Sequence, residues 1–311
     1  MKFVLRFLLQ AVPTLLGAIT VLFLILRMIP GDPAQAMLGA DATGADLERV
    51  RQQLGLDRSL LVQYGHFMAD FLRGDWGLSI TTKTPALGRV LEALPSTLGL
   101  CAAAITLVVV VSIPAGTISA VKRDSWVDYG VSVLVFLLIS MPQFWLGLIL
   151  LLVFSYWLDW FPIYGGADGG GLLSQLHHIA LPAATLAAGF LGLSTRLTRS
   201  SMLETLSRDY VRTARAKGLP ERVVVVRHAL RNALLSVITV LGLTVGQLLG
   251  GAVIVEVVFA RPGVGTMIWD AILQRDYPQV QAAVAVFAGL FILTNFLTDA
   301  LYGALNPRIR V

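Results

Sequence analysis

Residues that could contact another molecule cluster in a basic, polar segment at 205–233, which lies between two long apolar stretches. Positions 207–217 contain good helix formers, Gly218-Leu219-Pro220 then interrupts the helical pattern, and a second helix is predicted over 221–235. The basic side chains of this helical hairpin could bind an anionic lipid surface or a groove on a protein. The candidate contact residues of the hairpin are Arg212, Thr213, Ala214, Arg215, Ala216, Lys217, Gly218 and Glu221.

The composition of the first hairpin helix favours protein over lipid as the binding partner. Ala214 and Ala216 are small enough to let another surface approach the helix backbone, and Gly218 permits a tight turn. A basic amphipathic helix resting on lipid headgroups is the alternative, and charge alone would favour it. We expect the hairpin to dock onto a soluble protein.

Catalytic and metal-binding patterns are weak elsewhere in the sequence. His177 and His178 are adjacent, but no cysteine or acidic ligand is near them, so a solvated loop explains them better than a metal site. The sequence contains no Gly-x-x-x-x-Gly-Lys-Ser/Thr motif, so the chain should not hydrolyse ATP by itself. No nucleophile, histidine and acid stand out as a set. We therefore expect no catalytic residue, metal or cofactor in this chain.

The elements that position the hairpin are predicted to be transmembrane helices. Of the 311 residues, 56% are hydrophobic and only 14% are charged, whereas soluble domains carry about 25% charged residues. A bilayer core about 30 Å thick requires about 20 apolar residues in a helix, because backbone polar groups have no partner in lipid. Six charge-free stretches meet or nearly meet this length: 7–26, 95–121, 129–158, 169–195, 232–255 and 278–298.

The distribution of lysine and arginine predicts the orientation of these spans. With both termini in the cytoplasm, the basic segment and most other lysines and arginines lie on the inner side, as the positive-inside rule requires. The net charge of +5 then reflects membrane topology and does not indicate nucleic acid. A single cysteine, Cys101, excludes an internal disulfide.

The first outer loop, 30–94, is predicted to be folded. Thr43 could cap one helix, and a second helix with an apolar face could begin after Ser59. This loop could cover the helix ends or offer a docking surface to an extracytoplasmic partner. The second outer loop is rich in glycine and is expected to be flexible.

Several residues within the spans are candidates for helix packing or for a translocation path. The third stretch is predicted to form a long tilted helix or a kinked one, with Pro142 near its middle. Glycines at every fourth position of the fifth stretch would allow close helix contact. Glu256 is expected near a helix end, with interhelical hydrogen bonding as the simplest role for such polar groups. The candidates for packing or for the path are Met141, Pro142, Gln143, Gly242, Gly246 and Gly250.

The hairpin and a series of shorter motifs resemble one family of transport proteins. The hairpin resembles the EAA loop of ABC importer permeases, and the sequence as a whole is similar to the dipeptide/oligopeptide/nickel permease family. Arg212-Thr213-Ala214 stand where the general motif has Glu-Ala-Ala, which is usual in the peptide branch, and Ser236 stands where the family commonly has proline. The matching motifs are Tyr210 to Gly218, Arg227 to Ala233, Pro30-Gly31-Asp32-Pro33, Gln53 to Asp57, Ser140-Met141-Pro142, Thr198 to Leu203, Arg275 to Pro278 and Asn306 to Arg310.

The resemblance implies an all-α membrane protein with six transmembrane helices, the type I ABC importer permease fold and a folded extracytoplasmic loop after the first helix. It implies a transmembrane helix at 1–29, the outer loop at 30–94, a permease domain at 95–305 containing the coupling loop 205–233, and a cytoplasmic tail at 306–311.

The resemblance also implies a location and a set of partners. The protein would lie in the bacterial cytoplasmic (inner) membrane with a second homologous permease, two ATPase subunits that bind ATP and magnesium, and an extracytoplasmic substrate-binding protein. In that family the fifth span lies near the path and the partner permease. Di- or oligopeptides are the expected substrates, with nickel, glutathione or another small solute as alternatives. Two rival classes lie outside the family: an ion-coupled secondary transporter, and a membrane scaffold that only recruits a cytosolic partner. A secondary transporter would typically show inverted repeats and midplane charges.

Overall fold

The computed structural model describes residues 2–28, 33–38, 43–53, 55–164, 166 and 171–305, and these residues are almost entirely helical. Within these ranges no β-strand occurs, and one isolated bridge pairs Leu78 with Pro85. Three predicted features lie wholly or partly outside the described residues: the tail at 306–311, the Pro30-Gly31-Asp32-Pro33 motif except for Pro33, and the glycines at 165, 169 and 170 of the second outer loop. The helices are α1 (Lys2–Met28), α2 (Pro33–Leu38), α3 (Gly44–Gln53), α4 (Leu60–Arg73), α5 (Ala86–Val121), α6 (Trp126–Ser140), α7 (Gln143–Leu150), α8 (Leu172–Leu206), α9 (Asp209–Ala216), α10 (Glu221–Val223), α11 (Arg231–Val258), α12 (Val264–Leu273) and α13 (Tyr277–Leu305).

Five helical segments are long and apolar enough to cross a membrane, and a bent pair of helices makes a sixth span if it is counted as one. The pair is Trp126–Ser140 and Gln143–Trp157, which are bent by 110°. The six predicted spans are therefore confirmed in number, with the third broken more sharply than a kinked helix. The five single segments are Ala11–Met28, Ala86–Val121, Leu172–Leu206, Glu221–Gly242 and Tyr277–Thr298.

The break in the third span follows from Pro142. Proline has no N–H to donate and disfavours a helical conformation in the preceding residue. Met141 is accordingly extended, with φ −82° and ψ 131°. A new helix starts at Gln143 and continues from α7 into the π-helix Leu151–Trp157.

The second helix of the hairpin is continuous with the fifth span. It begins as α10, passes through the π-helix Val224–Leu230 and continues as α11. The predicted helix over 221–235 and the apolar stretch at 232–255 overlap at 232–235, and both belong to one continuous helical segment, 221–258, which we call the rod.

One compact unit of the chain comprises residues 1–96 and 262–292. In this unit Phe23 of α1 packs against Tyr64 and Phe67 of α4, with ring centroids 5.4 and 5.3 Å apart. The Thr43 cap is confirmed, since the backbone N–H of Asp46 donates to Thr43 Oγ1 at 3.3 Å. The second predicted loop helix is confirmed as α4. The helix α12 was not predicted from the sequence.

The other compact unit comprises residues 97–261 and 293–311. Within it α8 is the central helix, with a run of buried residues from Leu181 to Met202 along one side. The helices α6, α7 and α11 pack against α8. The hairpin belongs to this unit, which therefore contains both the candidate docking surface and spans connected to it.

Candidate functional site

The hairpin turn is held by a Schellman motif at the end of α9. The backbone N–H of Gly218 donates to Arg215 O at 2.9 Å, and that of Leu219 donates to Ala214 O at 3.4 Å. Gly218 has φ +74°, a left-handed conformation that glycine adopts without steric cost. Pro220 then precedes α10, where its fixed φ suits a helix start. Turn chemistry in the sequence thus sets the angle between the two hairpin helices.

The inner face of the hairpin is a small apolar core. Val211, Ala214 and Val224 are buried against one another, with Leu206 packed beside them. Ala214 is only 6% exposed, so the expectation that it receives another protein surface is wrong. Its small side chain instead lets α9 lie close to the start of the second hairpin helix.

The hairpin also packs against the ends of two membrane spans. Val225, Ala229 and Ala233 on the rod form a buried cluster with Met202 near the end of α8 and Ala120 at the end of α5. In addition, Asn232 Nδ2 donates to Tyr210 Oη at 3.0 Å, joining α11 to α9. A force on α9 would therefore act on the packed ends of several helices.

The outer face of α9 presents charge and polarity to its surroundings. Arg212 is 74% exposed and lies 3.7 Å from Asp209, a weak surface pair. Arg215 makes two hydrogen bonds to Glu221, of 3.1 and 2.6 Å, across the turn. Lys217 is exposed and has no ion pair within the described part of the chain. Thr213 and Ala216 complete this exposed face, while Gly218 is exposed at its end.

The residues at the break of the third span are brought together with α8 and α11. Met141 and Pro142 form the break itself, and Gln143 Nε2 donates to Leu186 O at 3.5 Å. A Cβ placed on Gly251 would lie 3.2 Å from Gln143 Oε1, so this polar side chain lies at the contact between three helices. Among the path candidates, Gln143 is thus a packing residue in this structure.

The glycines of the fifth span do not form a single contact surface. A Cβ on Gly242 would lie 2.3 Å from Thr298 Cγ2, so glycine is required where α11 meets α13. Gly246 is buried. Gly250 is exposed and has open space around its Cβ position. The exposed Gln247 belongs to the same turn of α11, which places a polar side chain on an unoccupied helix surface.

Glu256 lies near the end of α11, as predicted, but its side chain is buried. Its side chain is 0% exposed, and Thr97 Oγ1 donates to Glu256 Oε1 at 2.6 Å. The bond joins α5 to α11, which agrees with the interhelical role. The Asp299 side chain lies outside the described residues.

A buried ion pair between α6 and α8 was missed by the sequence reasoning. Arg199 Nε and Nη2 both donate to the Asp128 carboxylate at 2.7 Å, and Ser119 Oγ also donates to it. Asp128 is 3% exposed. The sequence offered two signals for this pair: an acidic residue at the edge of an apolar stretch, and an arginine inside one of the motifs that resemble the family. The two residues are far apart in the sequence, so nothing linked them.

The adjacent histidines lie in the first turns of α8 and not in a solvated loop. His177 Nε2 lies 2.6 Å from Trp160 O, and His178 Nδ1 lies 2.8 Å from Ser174 O. Among the described residues no group of three or more His, Cys, Asp or Glu side chains could hold a metal ion. Each histidine ring thus lies at hydrogen-bond distance from a backbone carbonyl oxygen.

Broken and continuous apolar helices, with a basic helical hairpin packed against them, define a polytopic membrane protein. Two family comparisons agree with this class. Residues 112–311 match the family described as "Binding-protein-dependent transport system inner membrane component", and residues 1–101 match its N-terminal membrane component family. The chain belongs to this family of inner-membrane permeases of ABC importers and has the type I permease fold.

Full-length relatives support the same conclusion. The chain is 41% identical over 310 residues to "Glutathione transport system permease protein GsiC" of Escherichia coli (strain K12), covering 100% of this chain and 99% of that protein. A protein of the same name from Pectobacterium atrosepticum is 42% identical over 310 residues, with the same coverage. The chain is thus a multi-pass inner-membrane protein of a binding-protein-dependent importer.

Proposed function

We propose that this chain forms half of the transmembrane path of an ATP-driven importer and that the hairpin transmits ATPase movement to that path. A second homologous permease forms the other half, two cytosolic ATPase subunits supply ATP binding and hydrolysis with magnesium, and an extracytoplasmic binding protein delivers the substrate. The observation that carries the coupling role is the two-sided hairpin. Its apolar side is buried against its own spans, while its charged side faces outward.

The continuous rod supports lever action. The second hairpin helix and α11 form one helical segment, and the Asn232–Tyr210 hydrogen bond links it to α9. An ATPase that closes around the hairpin would favour one arrangement of the spans, because it would bind that arrangement more tightly than the other.

The exposed turn of α11 supports the contact with a second permease. A polar side chain such as Gln247 is costly on a lipid-facing helix surface, and the open Cβ space at Gly250 permits a close helix approach. A partner helix or a hydrated path beside this surface would remove that cost. We assign α11 to the interface that surrounds the path.

For the substrate we propose glutathione, with di- and oligopeptides as the second candidate. The proposal is supported by relatives that carry a glutathione name and are 41% identical over the whole chain. Glutathione is itself a short peptide, so the two candidates share backbone amides and terminal carboxylates. Nickel is a weaker candidate, since the described residues contain no cluster of metal ligands.

Uptake by the reconstituted complex tests the proposed function. Proteoliposomes with both permeases and the ATPases would receive the cognate binding protein and labelled glutathione, a dipeptide or nickel. We expect ATP-dependent uptake of glutathione that unlabelled glutathione reduces more than the dipeptide does. Preferential dipeptide uptake would move the assignment to the second candidate.

The same vesicles separate the importer from the rival classes. Uptake should need ATP and every partner chain and should not respond to imposed proton or sodium gradients. Gradient-driven uptake by this chain alone would support a secondary transporter, and binding of the ATPase without any uptake would support a scaffold.

A further inference from the structure

A cavity of about 420 Å³ lies in the unit formed by residues 1–96 and 262–292, at the end of α1. Its walls combine apolar side chains with two cationic ones. The lining contains no aspartate or glutamate. The lining includes Arg27, Lys83, Leu56, Leu78 and Pro278.

The guanidinium group of Arg27 in this cavity lacks a hydrogen-bond acceptor among the described residues. Its Nε is buried without a hydrogen-bond partner, and no ion pair to its guanidinium is found among the described residues. The guanidinium carbon lies 5.1 Å from the centroid of the Phe23 ring, which holds the side chain in place. The Nε itself has almost no accessible surface, so an anion in the cavity would be bound by the remaining N–H donors of this half-buried guanidinium.

The second cation, Lys83, lies on the loop that forms another wall. Lys83 has φ +59° and is exposed. The nearest candidate counter-charge in sequence, Asp276 beside Tyr277, is already occupied, because its oxygens accept from Ser79 Oγ at 2.5 Å and from the Ile80 N–H at 3.0 Å. These donors are neutral, so Asp276 keeps its negative charge beside this wall and offsets part of the positive charge. The lining itself holds two cations and no carboxylate.

The cavity lies at the level where a membrane span ends. Arg27 is the penultimate residue of the apolar segment Ala11–Met28. Neighbouring Leu24, Ile25 and Met28 are 49%, 51% and 81% exposed, as side chains facing lipid would be. An arginine next to lipid-facing residues is placed to meet lipid headgroups.

We propose that this cavity binds the phosphate group of an anionic phospholipid. Arg27 supplies a planar, forked set of N–H donors that suits phosphate oxygens, and Lys83 supplies a second point charge. The apolar walls, with Leu56, Leu78 and Pro278, accommodate the glycerol and upper acyl region. A soluble phosphate ester offers the same oxyanion but would make no use of these walls or of the adjoining lipid-facing surface.

Lipid retention by the purified complex tests the proposal. The full complex would be extracted from vesicles of phosphatidylcholine and phosphatidylglycerol, and the lipids that remain bound would be counted by native mass spectrometry. We expect the wild type to retain phosphatidylglycerol in preference to phosphatidylcholine. Arg27→Gln and Lys83→Gln should each lower this preference at least about threefold, and Arg27→Lys should restore part of it.

Arg73→Gln is the matched control, because it removes a positive charge from the same unit at a side chain that is 77% exposed. It should retain phosphatidylglycerol as the wild type does. Equal retention by wild type and both cavity variants would overturn the proposal. So would displacement of the bound lipid by millimolar glycerol phosphate, which would reassign the cavity to a soluble phosphate ester. Lys83→Gln keeps the test valid if Arg27→Gln fails to fold, since Lys83 lies on an exposed loop.

Discussion

Two short polar segments of this chain use their charges in opposite ways. The segment before α13 turns the Asp276 carboxylate inward, where Ser79 Oγ, Thr81 Oγ1 and the N–H groups of Ile80 and Thr81 donate to it. The hairpin at 209–221 turns Arg212 and Lys217 outward. Polar groups that are fully bonded within the chain stabilise the fold, whereas outward charges without strong internal partners remain available to another molecule.

The two segments also differ in what holds their backbones. The Asp276 segment depends on one side chain that is 1% exposed and has several donors. The hairpin depends on a glycine-centred helix cap and a small apolar core, with its one strong ion pair at the surface. Mutations should therefore affect the first segment through a carboxylate and the second through backbone conformation.

The largest effect is expected from Asp276→Asn. The amide replaces one acceptor oxygen with a donor, so buried donors around it lose partners at a cost of about 1–3 kcal/mol. Amide hydrogen exchange at 79–86 should accelerate roughly 5- to 160-fold, as that energy range implies. Asp75→Asn should change the exchange rate at 79–86 little, because the asparagine amide oxygen can still accept from the Gly77 N–H as Asp75 Oδ1 does at 3.2 Å. Equal protection in wild type and Asp276→Asn would show that the carboxylate is not what holds this segment.

The protection conferred by Asp276 should also depend on pH. Burial tends to raise the pKa of Asp276, but hydrogen bonds from Ser79, Ile80 and Thr81 outweigh it and hold the pKa below its usual value. A lowered folded-state pKa means that the stabilisation is complete above the unfolded value of about 3.9 and is lost as the pH falls through the folded value. Exchange at 79–86 in wild type should approach that of Asp276→Asn below about pH 4. A constant difference between the two proteins down to pH 2 would contradict this account.

Gly218→Val is expected to have the next largest effect, on the hairpin. The φ of +74° is a steric outlier for a β-branched residue and costs about 1–2 kcal/mol, although no atom lies within 4 Å of the Cβ position. We expect binding of the ATPase to weaken roughly 5- to 30-fold and ATP-driven uptake to fall with it. Co-purification of the ATPase and vesicle uptake measure these effects.

Gly74→Val is a close control for the strained turn. Gly74 caps α4 with φ +79° and also has open space around its Cβ position, so the same strain is introduced outside the hairpin. ATPase recovery should remain normal in this variant. Normal recovery and uptake in Gly218→Val as well would count against coupling through the hairpin.

The segments that could be predicted from the sequence are those whose structure depends mainly on residues close to one another in the chain. Apolar length fixed the number of spans, and Gly218-Leu219-Pro220 located the hairpin turn, since turn residues act through their own backbone angles. The sequence did not reveal the inward orientation of Ala214 or the Asp128–Arg199 pair. Both depend on which helix faces meet, and long-range packing decides that. The 110° break at Pro142 was underestimated, because proline predicts an interruption but not the angle that neighbouring helices impose.

Arg212→Glu should have a smaller effect than the glycine substitution. It reverses a 74% exposed charge without disturbing the core of the hairpin, so folding should be unchanged. Binding of the ATPase should weaken about two- to fivefold, and more strongly at low salt, because exposed charges contribute up to about 1 kcal/mol and are screened by ions. Arg123→Glu reverses a charge that is 64% exposed outside the hairpin and should leave binding unchanged. A salt-independent loss, or equal losses in both variants, would argue against charge contacts at this surface.

Glu221→Gln should have the smallest effect. Glu221 bonds Arg215 at 2.6 Å, but the two side chains are 55% and 42% exposed, and surface pairs of this kind contribute about 0.2–1 kcal/mol. Thermal unfolding of the complex should therefore shift only slightly, and a double-mutant cycle with Arg215→Met should give a coupling energy in that range. If Glu221→Gln weakened ATPase binding as much as Gly218→Val and the cycle gave a coupling energy well above that range, the ion pair and not the backbone cap would hold the turn. The hairpin would then resemble the Asp276 segment, with a carboxylate as its main support, and the contrast between the two segments would no longer hold.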